Sequence, residues 1–205
     1  MARKYGSKVS EEDLLNEILL DKVFFDESEG GVTFSGGEPL MQYKELISIL
    51  KLSGEKGIHR AVDTSGHASA KVISEVAEHT DLFLYDLKNM DASTHEKFTG
   101  LDNRTILENA DRLLDMGKEV IFRIPLVPGV NDTGDELKLY TQFFEERTDR
   151  FKEVHILPYH KIGSDKYRRL DMEYPLGNHL EPTKEQVNIV KQKFETSGVK
   201  VTIGG

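Results

Sequence analysis

The sequence predicts an α/β fold, a closed or partly closed barrel of parallel strands ahead of an open doubly wound sheet. Three observations carry this. Segments with helical apolar spacing alternate with short apolar runs along the chain, as strand–helix–strand units require. Glycine, proline and helix-capping residues fall at the junctions. Polar and charged residues collect at the C-terminal ends of the apolar runs, the rim where parallel α/β folds bind ligands.

Taken in order, Ser10 opens a helix with Asp13 in a capping-box-like position, and Leu14, Leu15, Ile18 and Leu19 follow at helical spacing. Val32, Thr33 and Phe34 form a short strand. Tyr43, Leu46, Ile47 and Leu50 make the next helix, closed by Gly54. Ile58 to Val62 is a strand leading into Asp63-Thr64-Ser65-Gly66. Val72, Ile73, Val76 and Ala77 mark a helix, and Leu82 to Tyr85 a strand ending in Asp86-Leu87-Lys88. Ile106, Leu107, Ala110, Leu113 and Leu114 form a helix stopped by Gly117. Val120 to Ile124 is a strand running into Pro125. Asn131-Asp132-Thr133 offers N-cap chemistry for a helix bearing Leu137, Tyr140, Phe143 and Phe144. Val154 to Leu157 is a strand, a polar loop runs from His160 to Pro182, and Thr183 with Gln186 caps a last helix before a final strand at 199–203. No linker or repeat divides the chain, so residues 1–205 are expected to form one domain. The chain opens on a helix where a barrel opens on a strand, so the first strand is expected to be missing.

Composition narrows the function. The net charge of −9 argues against a nucleic-acid partner, since phosphate neutralisation needs a basic face. No apolar run is long enough for a bilayer and the N-terminus carries no leader pattern, so the expectation is a cytoplasmic protein without a membrane partner. Cysteine is absent, which removes disulfides, thiolate nucleophiles and cysteine-ligated metals. The seven histidines are scattered without metal-ligand spacing, so no metal site is expected.

The rim holds the candidate site. Gly36, Gly37 and Glu38 follow the first strand, Asp63 and Thr64 the second, Asp86, Leu87 and Lys88 the third. Arg123 ends the fourth, and His160 lies just past the fifth. Gly36 and Gly37 suit a tight turn or close approach of backbone to a ligand. Pro39 biases Glu38 to an extended conformation, and its carboxylate beside backbone acceptors suits a ligand ammonium. Lys88 would hold a ligand carboxylate, or pair with Asp86. Arg123 fits a ligand role or neutralisation of Asp63 or Asp86. His160 taken singly reads as a surface histidine, and Asp63 also suits a turn cap. No residue stands out as catalytic in the chain itself.

The stretches GGVTFSGGEPL, DTSG, DLK, RIPLVPGVND and LPYHKIGSDKY, in this order, resemble the activating enzymes of glycyl radical enzymes in the radical S-adenosylmethionine superfamily. The pyruvate formate-lyase activating type is the member it is named by, and the resemblance runs from about Ser10 to the C-terminus. It implies a partial (β/α) TIM-like barrel of the radical SAM type. In the family pattern Gly36, Gly37 and Glu38 bind the methionine amino group, Asp86 to Lys88 contact the methionine part, and His160 contacts the nucleoside. Asp63 and Thr64 fall near the methionine carboxylate and a monovalent cation, and Arg123 near the reactive centre. The implied cofactors are S-adenosylmethionine and a [4Fe-4S] cluster. The implied partners are a glycyl radical enzyme such as pyruvate formate-lyase and a flavodoxin-like electron donor. The family reaction is reductive cleavage of S-adenosylmethionine to a 5′-deoxyadenosyl radical, which takes a hydrogen from a glycine of the partner. This chain departs from the pattern in having no cluster cysteines. The resemblance puts that loop and the first strand before Met1, so the chain alone is expected to be inactive. A non-catalytic S-adenosylmethionine-binding or partner-docking relative is the alternative; a third reading is a barrel lyase using Lys88 as a Schiff-base amine.

Overall fold

The computed structural model describes residues 8–160 and 180–204. The polar loop after His160 lies mostly outside these residues. Six strands alternate with helices, and the strand order is the chain order: β1 (Gly31–Phe34), β2 (His59–Thr64), β3 (Leu82–Asp86), β4 (Glu119–Leu126), β5 (Glu153–Pro158) and β6 (Val201–Ile203). The pairings β1–β2, β2–β3, β4–β5 and β5–β6 are all parallel, as strands joined by helical crossovers must be. The helices are α1 (Glu11–Leu20), α2 (Lys22–Ser28), α3 (Tyr43–Glu55), α4 (Ala70–Ala77), α5 (Ala92–Thr99), α6 (Arg104–Asp115), α7 (Gly134–Glu145) and α8 (Lys184–Glu195). The chain divides into two compact units, Met1–Tyr85 with Thr105–Val120, and Asp86–Arg104 with Ile121–Gly205.

In the first unit, Ile18 of α1, Ile49 of α3 and Ile58 just before β2 are buried against Leu14, Leu15, Phe25 and Val32. Ile73, Val76 and Ala77 of α4 are fully buried, as are Val62, Phe83 and Tyr85 of the strands and Ala110 and Leu113 of α6. Each such aliphatic side chain contributes about 1.5–3 kcal/mol through removal of apolar surface from water.

The second unit is built on rings. Phe122 of β4 meets Phe143 of α7 edge-on at 5.4 Å and Phe151 at 5.0 Å. Phe144 meets Phe194 of α8 edge-on at 5.4 Å, and Tyr140 lies 5.4 Å from the same ring. These are the separations at which ring quadrupoles attract, adding about 0.5–1.5 kcal/mol per pair beyond burial.

The caps follow the sequence. Ser10 accepts from the Asp13 amide, Thr133 from Glu136, and Thr183 from Gln186, whose side chain returns to the Thr183 amide. Two helices and one turn lack an apolar signal. Helix α2 buries no residue and α5 only His95, so neither leaves a stripe to detect; a 3₁₀ turn at Pro39–Gln42 follows Glu38. Strand β4 continues through Pro125 to Leu126, with Pro125 in register with Leu157 and its carbonyl accepting from Asn131 Nδ2 at 2.8 Å.

At the N-terminal end of β2, the Arg60 guanidinium forks onto Asp81 through Nε at 2.8 Å and Nη2 at 2.7 Å. Gly54 makes room for it, since a Cβ there would lie 2.3 Å from Nη1. The side-chain hydrogen bond from Arg60 holds the Asp81 carboxyl below the usual range. At the α5 N-cap, hydrogen bonds from Ser93 and Thr94 bring Asp91 down from 3.8 to about 2. Both groups are depressed on folding, so their stabilisation is complete above the unfolded value and is lost as pH falls through the folded one. The urea midpoint is therefore expected to drop between about pH 4 and pH 2. Asp81→Asn should lower the midpoint at neutral pH and make the acid drop shallower; an unchanged slope would contradict the Arg60 assignment.

Candidate functional site

In the first unit, the loop after β1 turns on two consecutive left-handed glycines, Gly36 at φ 93° and Gly37 at φ 60°. A Cβ on either meets nothing within 4 Å, so the backbone there faces open space. Glycine is needed for conformation rather than for lack of room. Glu38 then returns to an extended backbone at φ −135°, as the following proline requires.

The Glu38 carboxylate is tied to the chain on both oxygens. Oε1 accepts from Thr64 Oγ1 at 2.6 Å and the Leu40 amide at 3.2 Å. Oε2 accepts from the Ser65 hydroxyl at 2.6 Å and the Ser65 amide at 3.0 Å. A carboxylate offers about four lone-pair directions, and these four donors occupy them. Thr64 Oγ1 also accepts from the Gly66 amide at 2.9 Å. Gly66 sits at φ 72°, where a Cβ would lie 1.8 Å from the Tyr85 hydroxyl. Its carbonyl and that of Ala68 accept from Asn109 Nδ2 at 2.9 and 2.8 Å. Burial pushes the Tyr85 hydroxyl well above its ordinary value, and it donates to the Ile106 carbonyl at 2.6 Å. Asp63 is half-buried on β2 in register with Leu84. Thr64 is buried.

In the second unit, Asp86 ends β3 and pairs with Arg123, whose Nε and Nη2 reach Oδ1 at 3.1 and 2.9 Å. The two side chains are 17% and 18% exposed, so the pair is largely shielded from water. Asp86 thus has a cation other than Lys88. Lys88 is exposed, and among the described residues its ammonium makes no hydrogen bond or ion pair. Leu87 between them is buried, its N–H donating to the Arg123 carbonyl and its carbonyl accepting from the Tyr140 hydroxyl. His160 is exposed, with Nδ1 3.7 Å from Glu181. Reading the residues did not pick out Ser65, Gly66, Asn109 or Tyr140. Ser65 and Gly66 stood inside the quoted DTSG stretch, whereas Asn109 and Tyr140 look like ordinary helix-face positions.

The profile of the radical SAM superfamily matches residues 1–139. The chain is a member of the radical SAM superfamily. Its curated relatives include activating enzymes of glycyl radical enzymes. It is 39% identical over 203 residues to the trans-4-hydroxy-L-proline dehydratase activating enzyme of Clostridioides difficile, covering 98% of this chain and 67% of that protein. It is 39% identical over 173 residues to the choline trimethylamine-lyase activating enzyme of Oleidesulfovibrio alaskensis, covering 83% of this chain and 56% of that protein. A crystal structure of a domain of pyruvate formate-lyase activating enzyme from Bacteroides vulgatus superposes with a TM-score of 0.73 at 38% identity, covering 86% of this chain and 99% of that one. The radical SAM chain described here thus spans between about half and two thirds of the two curated relatives.

Membership implies S-adenosylmethionine and a [4Fe-4S] cluster. For S-adenosylmethionine, each unit has candidate groups: open backbone at Gly36–Gly37 in the first and, in the second, the Lys88 ammonium, which makes no hydrogen bond or ion pair among the described residues. For the cluster, the described residues do not fit. The 205 residues contain no cysteine, and among the described residues no three His, Asp or Glu side chains converge to hold a metal ion. Also among the described residues, no helix is long and apolar enough to cross a membrane.

Proposed function

We propose that this chain is the S-adenosylmethionine-binding part of a cytoplasmic activating enzyme for a glycyl radical enzyme, with residues 1–205 acting as one domain. The observation that carries the reading is Lys88, two residues past β3, exposed and without a hydrogen bond or ion pair among the described residues, in a chain whose near-full length matches such activating enzymes. Because Arg123 neutralises Asp86, the Lys88 ammonium is available for the methionine carboxylate. Because Glu38 is saturated by Leu40, Thr64 and Ser65, its contribution is to fix the glycine loop, whose open backbone suits a ligand ammonium. Asp63, Asp86, Leu87 and Arg123 shape the strand ends, and His160 serves the nucleoside.

Hydrogen abstraction from a backbone glycine needs a donor of one electron and a cluster, and this chain has no cysteine to hold one. The partner is a glycyl radical enzyme of the kind the relatives are named for, with pyruvate formate-lyase as the default and a flavodoxin-like protein as electron donor.

Calorimetric titration with S-adenosylmethionine tests the reading. A charge-assisted contact is worth about 1.5–3 kcal/mol, so Lys88→Ala should weaken binding about 10- to 100-fold with an unchanged melting temperature. Equal affinities for the two proteins would remove Lys88 from the site.

A further inference from the structure

Loops are normally satisfied by water at the surface. The segment after β3 is not: four buried side chains close its backbone almost completely. The Tyr140 hydroxyl donates to the Leu87 carbonyl at 3.0 Å. Asn131 Nδ2 donates to the Lys88 carbonyl at 2.8 Å. Asn103 Nδ2 donates to the carbonyls of Asn89 at 3.1 Å and Met90 at 2.7 Å. The Glu136 carboxylate accepts from the amides of Met90 and Asp91. Tyr140, Asn131, Asn103 and Glu136 are all under 5% exposed.

Asn131 lies in the RIPLVPGVND stretch, eight residues after Arg123. The Val127–Val130 turn has proline second and Gly129 third at φ 75°, closed by the Val130 amide on the Val127 carbonyl at 3.0 Å, the geometry of a type II turn. Asn131 Oδ1 accepts from the Val127 amide at 2.8 Å, which turns Nδ2 toward the Lys88 and Pro125 carbonyls, each at 2.8 Å. One amide side chain therefore ties this turn, the end of β4 and the Lys88 backbone together. Burying four polar side chains to hold five residues is costly unless each is satisfied. Within the held segment Leu87 and Asn89 point inward and only Lys88 points to solvent between them.

We propose that Asn131, with Asn103, Glu136 and Tyr140, is a positioning clamp that fixes the Lys88 backbone so that its ammonium meets a ligand carboxylate. The inference rests on the S-adenosylmethionine reading. Asn131 acts through Lys88 and touches no ligand itself.

The test uses Asn131→Asp, which keeps the acceptor for Val127 and loses both donors, and Asn103→Asp as a second variant. Two readouts separate the clamp from the ligand. Amide hydrogen exchange needs no ligand: in the parent chain Met90 and Asp91 should exchange slowly, and at least tenfold faster in Asn131→Asp, while Lys88→Met leaves them unchanged. Rapid exchange in the parent overturns the clamp whatever binds. Calorimetry with S-adenosylmethionine then closes a cycle. Asn131→Asp should weaken binding about tenfold, and should add little in a Lys88→Met background, because both changes remove one contact. Fully additive losses would mean that Asn131 does not work through Lys88 and would overturn the proposal. Absence of any binding by the parent chain, with slow exchange intact, would overturn the ligand role and the functional reading beneath it. If Asn131→Asp does not fold, Asn103→Asp carries both measurements.

Discussion

Gly66→Ala is expected to cost about 4 kcal/mol of stability. Two independent costs meet there. Gly66 holds φ 72°, a left-handed conformation that costs an alanine about 1–2 kcal/mol. The new Cβ would also stand 1.8 Å from the Tyr85 hydroxyl and 2.1 Å from its ring carbon. Tyr85 is fully buried and bonded to the Ile106 carbonyl, so it cannot swing aside without losing that bond and opening the core. Urea unfolding measures the loss. In a Tyr85→Leu background the same substitution should cost only the conformational part, about 1–2 kcal/mol. A loss below about 1 kcal/mol in the parent background would mean that the turn is not packed against Tyr85 in this way.

Removing the Glu38 side chain comes second, with Glu38→Ala expected to cost about 3 kcal/mol. Hydrogen bonds to a charged group contribute about 1.5–3 kcal/mol each but share their energy when they form one network. The substitution strands the buried Thr64 hydroxyl and the Ser65 amide at once. Glu38→Gln is the sharper probe, because a carboxamide has one oxygen and one NH₂. Either orientation points donors at donors on one side, so about half of the loss should remain. If Glu38 instead faced solvent, Glu38→Gln would be neutral in urea and the bracing of the Gly36–Gly37 loop by the end of β2 would be wrong.

The alternation of elements was legible because each long helix carries an apolar stripe that survives in one dimension, as with Ile73, Val76 and Ala77. The caps at Ser10, Thr133 and Thr183 were legible because a cap is a local exchange between a hydroxyl and an amide three residues on. Helices α2 and α5 escaped because burial writes the pattern and they bury almost nothing. The strand-end residues could be named from the alternation, but their partners could not. Lys88 and Asp86 are two apart in sequence and look like a pair, yet Asp86 is claimed by Arg123, 37 residues on. Glu38 looked free to meet a ligand, and its carboxylate is committed to residues 26 and 27 positions away. Long-range hydrogen bonds of this kind leave no period in a sequence. Asn109 and Asn131 show the same: each is a single amide whose importance lies in which two carbonyls it reaches.

The central proposal is that Lys88 recognises the carboxylate of S-adenosylmethionine. Amide-resolved NMR titration of this chain with S-adenosylmethionine tests it most directly. The account predicts saturable shifts at the amides of Lys88 and Asn89, with the outer faces of α4 and α6 around Ser74, Glu108 and Asp115 unmoved. Shifts confined to those helix faces, or none at Lys88 under saturating ligand, would contradict it.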